Sequence, residues 1–242
     1  MTTPEILFAD VDETLITVKS MLRFLDFHLA RAAAGSPTYA EVVGGLDRRA
    51  AEGAPRSELN RLYYGAFAGA RADTVLRHGR EWFDTELAAG GFFHEPALAF
   101  CGALQARGSR LALVSGSFEP CLAPIARHVD ATWTLCGGPV VSDGRYTDVL
   151  LPTVIGEGKA DAVRALTSAT NVDPARCLAI GDHASDLPML SAVGAAVVVG
   201  DDPVLARAAT RYRWDRLPGV VHRDRPLTTQ TTAAVAVTEE TL

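Results

Sequence analysis

Ile6-Leu7-Phe8-Ala9-Asp10-Val11-Asp12-Glu13-Thr14-Leu15 is the stretch from which the fold of this chain is read. Four apolar residues without polar alternation suit a strand covered on both faces, as in a parallel sheet. Asp10 and Asp12 follow at once, and carboxylates at i and i+2 leave an extended chain on the same side. They stand at the carboxyl end of the strand, where open α/β sheets bind ligands. One aspartate in such a turn is commonly a cap or Asx-turn residue, but a pair just ahead of Thr14 is less easily explained that way.

Further short apolar runs end as abruptly, at Leu111-Ala112-Leu113-Val114, Cys177-Leu178-Ala179-Ile180 and 195–199. Helical patterns alternate with them, over about 96–107, 119–128, 159–167, 186–193 and 203–210. Strands alternating with helices of this length predict βαβ units and an α/β, Rossmann-like parallel sheet. Residues 18–91 break the rhythm. They contain no strand pattern, and amphipathic helices fit 20–33, 39–51, 57–70 and 71–89, separated by Gly35-Ser36-Pro37 and Gly53-Ala54-Pro55. An all-helical insertion between the first two strands is expected to form a cap over the carboxyl edge of a core made of 1–17 and 92–223. Val140 to Thr147, with Asp143-Gly144 at its centre, reads as a β-hairpin decorating the sheet edge. The Thr- and Ala-rich tail, 224–242, is expected to fray.

The ends of the later strands carry the remaining chemistry. Ser115-Gly116-Ser117 offers a hydroxyl and small residues at a strand-to-helix turn, where backbone N–H groups can approach an oxyanion. Gly156-Glu157-Gly158-Lys159 opens a helix with a lysine that, taken alone, would be read as solvated surface. Gly181-Asp182-His183-Ala184-Ser185-Asp186 places two more carboxylates after a buried strand. Converging on one sheet edge, Asp10, Asp12, Asp182 and Asp186 would repel strongly, since two such charges about 4 Å apart cost about 4 kcal/mol at an effective dielectric near 20. Hard oxygen ligands with room for water and a phosphate oxygen favour Mg²⁺. Lys159 would supply further positive charge, and Ser115 with nearby amides would hold phosphoryl oxygens, as phosphoryl transfer requires.

Composition narrows the classes further. Of 242 residues, 48% are hydrophobic, enough for a sizeable core without staples. Lys+Arg 23 against Asp+Glu 29 gives a net charge of −6, without the basic footprint of a nucleic-acid binder or of a protein docking on anionic membranes. Cys101, Cys121, Cys136 and Cys177 show no metal-ligand spacing and read as buried small apolar residues. With no leader-like N-terminus and no apolar run long enough to span a bilayer, a cytoplasmic protein is expected.

In order along the chain, DxDxT, hydrophobic-Ser-Gly, Lys and GDxxxD, the sequence resembles the haloacid dehalogenase (HAD) superfamily of phosphohydrolases. The helical insertion, Val114-Ser115-Gly116-Ser117-Phe118 and Asp186-Leu187-Pro188-Met189-Leu190 are similar to the phosphoserine-phosphatase-like subfamily IB with a C1-type helical cap. The resemblance implies a phosphatase acting on a small phosphorylated metabolite through an aspartyl-phosphate. Asp10 would be the nucleophile and a metal ligand, and Asp12 the general acid and base, its carbonyl also a ligand. Asp182 would complete the Mg²⁺ site, Lys159, Ser115 and Gly116 would bind phosphate, and Thr14, Ser185 and Asp186 would support them. The same residues would serve transfer to an acceptor other than water, and an inactive binding scaffold is the reading from another class.

Three departures from the family pattern stand out, one being Ser185, which stands where phosphoserine phosphatases usually carry Asn beside the final Asp. Glu13 occupies a position where the commonest form has Gly. Lys19, nine residues after Asp10, stands where phosphoserine phosphatases carry a Glu facing the substrate ammonium. A lysine there would repel an ammonium, which argues against phosphoserine as substrate and makes Lys19 a candidate specificity residue, with Arg23, Arg61 and Tyr64 behind it in the cap.

Overall fold

The computed structural model describes residues 3–32 and 35–221; the tail at 224–242, and the end of the helix expected over 20–33, lie outside them. Strand β1 (Ile6–Ala9) is followed by four helices, α1 (Ser20–Leu29), α2 (Tyr39–Ala51), α3 (Arg56–Gly65) and α4 (Ala72–Ala88), then by α5 (Glu95–Gln105). Next come β2 (Arg110–Phe118), α6 (Glu119–His128), β3 (Trp133–Gly137) and the pair β4 (Pro139–Ser142) and β5 (Arg145–Leu150). Helix α7 (Glu157–Thr170), β6 (Cys177–Gly181), α8 (Leu187–Ser191), β7 (Ala195–Val199), α9 (Pro203–Tyr212) and β8 (Asp215–Leu217) complete the described chain.

Six strands form one parallel sheet in the order β3-β2-β1-β6-β7-β8. The expected α/β class holds, and the apolar run of β1 has its reason. Leu7 and Ala9 face a core shared with α1–α6, whereas Ile6 and Phe8 face a second core built with α7–α9. Because both faces are covered, no polar residue is admitted. Strand order reverses between β1 and β6, so the turns after these two strands open onto a common crevice, the usual place for a ligand in such sheets.

The helical block packs on the sheet through α4 and α6. Their approach is so close that a Cβ at Gly79 would sit 2.0 Å from the Pro120 carbonyl oxygen. Glycine is therefore required there for space. Helix α2 begins with a capping box, Thr38 and Glu41 exchanging bonds with each other's backbone N–H groups.

The hairpin departs from expectation. β4 and β5 make a separate two-stranded sheet rather than decorating the edge of the large one. Tyr146 donates its N–H to Ala70 O (3.0 Å) and accepts from Gly69 N–H (2.8 Å), which joins the hairpin to the helical block. Helix α1 stops at Leu29, where Arg31 and Ala32 N–H groups turn to the i−3 carbonyls of His28 and Leu29. Helix α3 likewise ends at Gly65 instead of running on, and 66–70 form tight turns that drive Phe67 into the core. β2 continues past Val114 to Phe118, with a register break against β3 between Ser115 and Phe118. Strands β3 and β8, unforeseen in the sequence, are the two sheet edges. Cys101, Cys121 and Cys177 are buried free thiols, and Cys136 is partly so. Among the described residues no helix is long and apolar enough to cross a membrane.

Candidate active site

The turns after β1, β2 and β6 and the start of α7 bring the predicted residues to one cavity of about 610 Å³, on whose wall Asp10, Asp12, Ser115, Gly116, Lys159 and Asp182 all lie. Asp10 leaves the end of β1 held by its own N–H, which donates to Ile180 O at 3.0 Å, so its position is tied to the neighbouring strand β6. Glu13, in the turn that follows, adopts φ 61°, the left-handed region that glycine occupies most readily, which accounts for the glycine commonly found there. Thr14 is fully buried, its Oγ1 lying 3.0 Å from Asp10 Oδ2 and 2.6 Å from Asp182 Oδ1. It joins the two turns.

Lys159 is not the solvated lysine its local sequence suggests. Its side chain is 6% exposed, and Nζ donates to Asp10 Oδ1 and Asp186 Oδ1, each at 2.5 Å. Burial alone would depress the ammonium, but Asp10 and Asp186 outweigh it and hold its pKa above the ordinary lysine range. Asp186 is fixed a second time, since its Oδ2 accepts N–H bonds from Asp182 (3.1 Å) and His183 (3.2 Å). A Cβ on Gly181 would stand 2.6 Å from that same oxygen, so only glycine admits this turn. Ser185 closes the loop, exchanging contacts with the His183 imidazole at 3.0 and 3.1 Å.

The residues fit a divalent cation. Carboxylate oxygens of Asp10, Asp182 and Asp186 lie within 4.8 Å of one another. Asp186 has its oxygens engaged by Lys159 and two amides, and Asp10 meets Lys159 and Thr14, whereas Asp182 is met at Oδ1 by the Thr14 hydroxyl. Burial, then the charges of Asp10 and Asp186, push the Asp182 carboxyl up to about 9, the response of a carboxylate crowded by anions without enough cation. A hard oxygen-lined cluster of this kind suits Mg²⁺ better than a soft metal.

Asp12 is placed differently. Its Oδ2 accepts the Ser20 N–H at 2.9 Å, while Oδ1 is buried without a hydrogen-bond partner among the described residues. Burial pushes its carboxyl up to about 7; bonds from Ser20 oppose the shift and the Asp10 charge adds to it. At the end of β2, Ser115 is 2% exposed and its Oγ accepts the Ser117 N–H at 3.1 Å.

Of the four specificity candidates, only Lys19 reaches the cavity, its Nζ 3.8 Å from Glu13 Oε2. Arg23 turns away to pair with Glu86 at 2.7 Å. Arg61 is exposed and not among the lining residues. Tyr64 is buried and donates its hydroxyl to Gly116 O at 3.3 Å, bracing the Ser115–Ser117 turn from behind. The cavity instead gains Arg56, the first residue of α3, which sequence reasoning missed. Its one local signal is its place directly after the helix-opening Pro55.

A family model described as haloacid dehalogenase-like hydrolase matches residues 7–191. A probable phosphatase of Mycobacterium tuberculosis is 38% identical over 134 residues, which cover 54% of this chain and 46% of that protein. The match thus spans about half the length of that relative. A Bordetella pertussis protein of unknown function has the same fold, with a TM-score of 0.78 at 22% identity over 89% of this chain and 99% of the other. A substrate-bound phosphoserine phosphatase follows at a TM-score of 0.59 and 16% identity, over 88% and 99%.

Proposed function

The chain belongs to the haloacid dehalogenase-like hydrolase family, and from that premise we propose that it is a Mg²⁺-dependent phosphatase that hydrolyses a small phosphomonoester through a phosphoryl group carried on Asp10. The observation that carries this reading is the buried Lys159 bonded at once to Asp10 and Asp186, with Asp182 beside them on the cavity wall. Such an array has little structural purpose, since buried charges cost stability unless fully paired.

In the proposed reaction, an Asp10 carboxylate oxygen attacks phosphorus while the bond from phosphorus to the alcohol oxygen breaks. Lys159 aims that carboxylate and offsets its charge, and Ser115 and Gly116 face the phosphoryl oxygens, the Ser117 N–H being spent on orienting the Ser115 hydroxyl. Asp12 gives its proton to the departing alkoxide and then takes one from the water that cleaves the acyl phosphate, returning Asp10 and releasing phosphate. Mg²⁺, held by Asp10, Asp182 and the Asp12 carbonyl, would neutralise charge on the transferring group. The helices of 18–91 would serve as the cap that encloses the substrate. Hydrolysis of para-nitrophenyl phosphate with Mg²⁺ tests the activity, and absence of turnover by folded protein would refute it.

The substrate reading follows from the cavity's cations. Lys19 and Arg56 line it on the side of the helical block, a setting for a phosphomonoester with a second anionic or hydroxyl-rich group rather than an ammonium. Lys19 is 35% exposed at its side chain, so its contact is partly screened and worth about tenfold in kcat/KM. Lys19→Glu should weaken the preferred substrate by that factor and improve phosphoserine. An unchanged ranking in a panel of phosphorylated metabolites, or phosphoserine as the best substrate of the wild type, would contradict this.

A further inference from the structure

Ser20 is the first residue of α1, wholly buried, and it touches two of the loops that carry the chemistry. Its N–H donates to Asp12 Oδ2 at 2.9 Å. Its hydroxyl donates to Ser117 Oγ at 3.0 Å, across 97 residues of sequence. Ser117 in turn gives its N–H to Ser115 Oγ. The first N–H groups of a helix have no partner within the helix, and here Asp12 takes one of them, since Lys19 at the helix N-cap makes no side-chain bond to it. One end of the Asp12 carboxylate is thereby pinned to the helical block, and the block's own placement against the phosphate loop is fixed by the Ser20–Ser117 hydroxyl contact. The other oxygen, Oδ1, is left buried and without a partner among the described residues, in a side chain that lines the cavity.

On the reading that the chain is a phosphatase, we propose that Ser20 is a positioning residue for proton transfer to the leaving group. It holds Asp12 Oδ2 so that Oδ1 presents to the departing oxygen at a fixed distance from the phosphoryl group held by the Ser115–Ser117 loop. The side chain contributes through placement: without Oγ the N–H remains, but the helix start is no longer keyed to the loop that holds the phosphate.

A structural role alone would lower turnover of every ester alike, whereas misplacement of Asp12 harms those esters that need a proton. The test is therefore the leaving-group dependence of kcat/KM, with para-nitrophenyl phosphate, whose phenolate departs unaided, against glycerol 2-phosphate, whose alkoxide does not. That constant reads only as far as departure of the alcohol, and so leaves out the later step in which Asp12 acts as base for every ester. Positioned general acids contribute about 10²–10⁴, so Ser20→Ala should lower kcat/KM on glycerol 2-phosphate by about tenfold or more and on the aryl ester by less than about threefold. Ser20→Thr, which restores a hydroxyl, should recover most of the alkyl-ester rate. Should Ser20→Ala fold poorly, Ser117→Ala removes the same contact from its other end and should shift the ratio of the two rates in the same direction. Equal losses on the two esters, or an unchanged ratio in both variants, overturn the positioning role. Asp12→Asn separates the two layers. If it is selective for the alkyl ester while the serine variants are not, only Ser20's role fails; if it too is indifferent to the leaving group, the general-acid assignment falls and takes Ser20's role with it.

Discussion

Asp10→Asn protein, pure and folded, is expected to lose at least about 10⁴-fold in kcat, the scale on which removal of a nucleophile acts. The amide is nearly isosteric, so the cavity keeps its shape, but it cannot form the acyl phosphate. Its effect on stability should run the other way. Asp10, Asp182 and Asp186 crowd one another, and among the described residues only Lys159 pairs with them as a cation. Removing one negative charge leaves Lys159 still paired with Asp186 and eases the repulsion on Asp182. Thermal unfolding should therefore occur at an unchanged or higher temperature while activity disappears. This opposition is diagnostic, because a variant that lost activity through misfolding would lose both. Residual turnover within about a hundredfold of wild type would sink the covalent route.

Removal of the metal is expected to have the second largest effect. Chelation with EDTA should silence turnover, and Mg²⁺ should restore it. Ca²⁺ should bind yet support the reaction poorly, since its looser and higher coordination disturbs an in-line arrangement. A readout independent of catalysis follows from mass action: an ion that binds only the folded chain stabilises it by about 2.7 kcal/mol at a hundred times its Kd. Mg²⁺ should accordingly raise Tm in the wild type, and Asp182→Asn should abolish that rise, because Asp182 is the carboxylate of the cluster without a lysine partner among the described residues. Full activity in metal-free buffer would contradict the assignment, as would a Tm rise that survives the substitution.

Much of the set of residues that share the cavity could be read before the fold was known, for a local reason. Asp10, Ser115 and Asp182 each follow an apolar strand of a sheet covered on both faces, and a parallel sheet delivers all its carboxyl ends to one edge. What escaped reading depends on contacts distant in sequence. Strand β8, Asp215-Arg216-Leu217, is a short edge strand whose charges suit an edge but hide the strand pattern. The hairpin's attachment is decided by backbone bonds to Gly69 and Ala70, which no turn signal at Asp143-Gly144 can reveal. Among the cations of the helical block, the rotation of each helix decides. Arg23 and Lys19 lie one turn apart, yet Arg23 is captured by Glu86 on α4 and Lys19 faces the cavity. Arg56 reaches the cavity because α3 begins there, one residue before the helix expected from sequence. Ser20 gave no signal at all, since its meaning rests on a hydroxyl contact with Ser117.

The central claim, a phosphoryl group carried on Asp10, is tested most directly by quenching the reaction in acid within the first turnover and weighing the peptides. The wild type should yield a peptide spanning Asp10 heavier by one phosphoryl group, labile to mild base, and Asp10→Asn should yield none. A phosphoryl group found on another residue, or steady release of phosphate with no modified peptide at any quench time, would contradict the account.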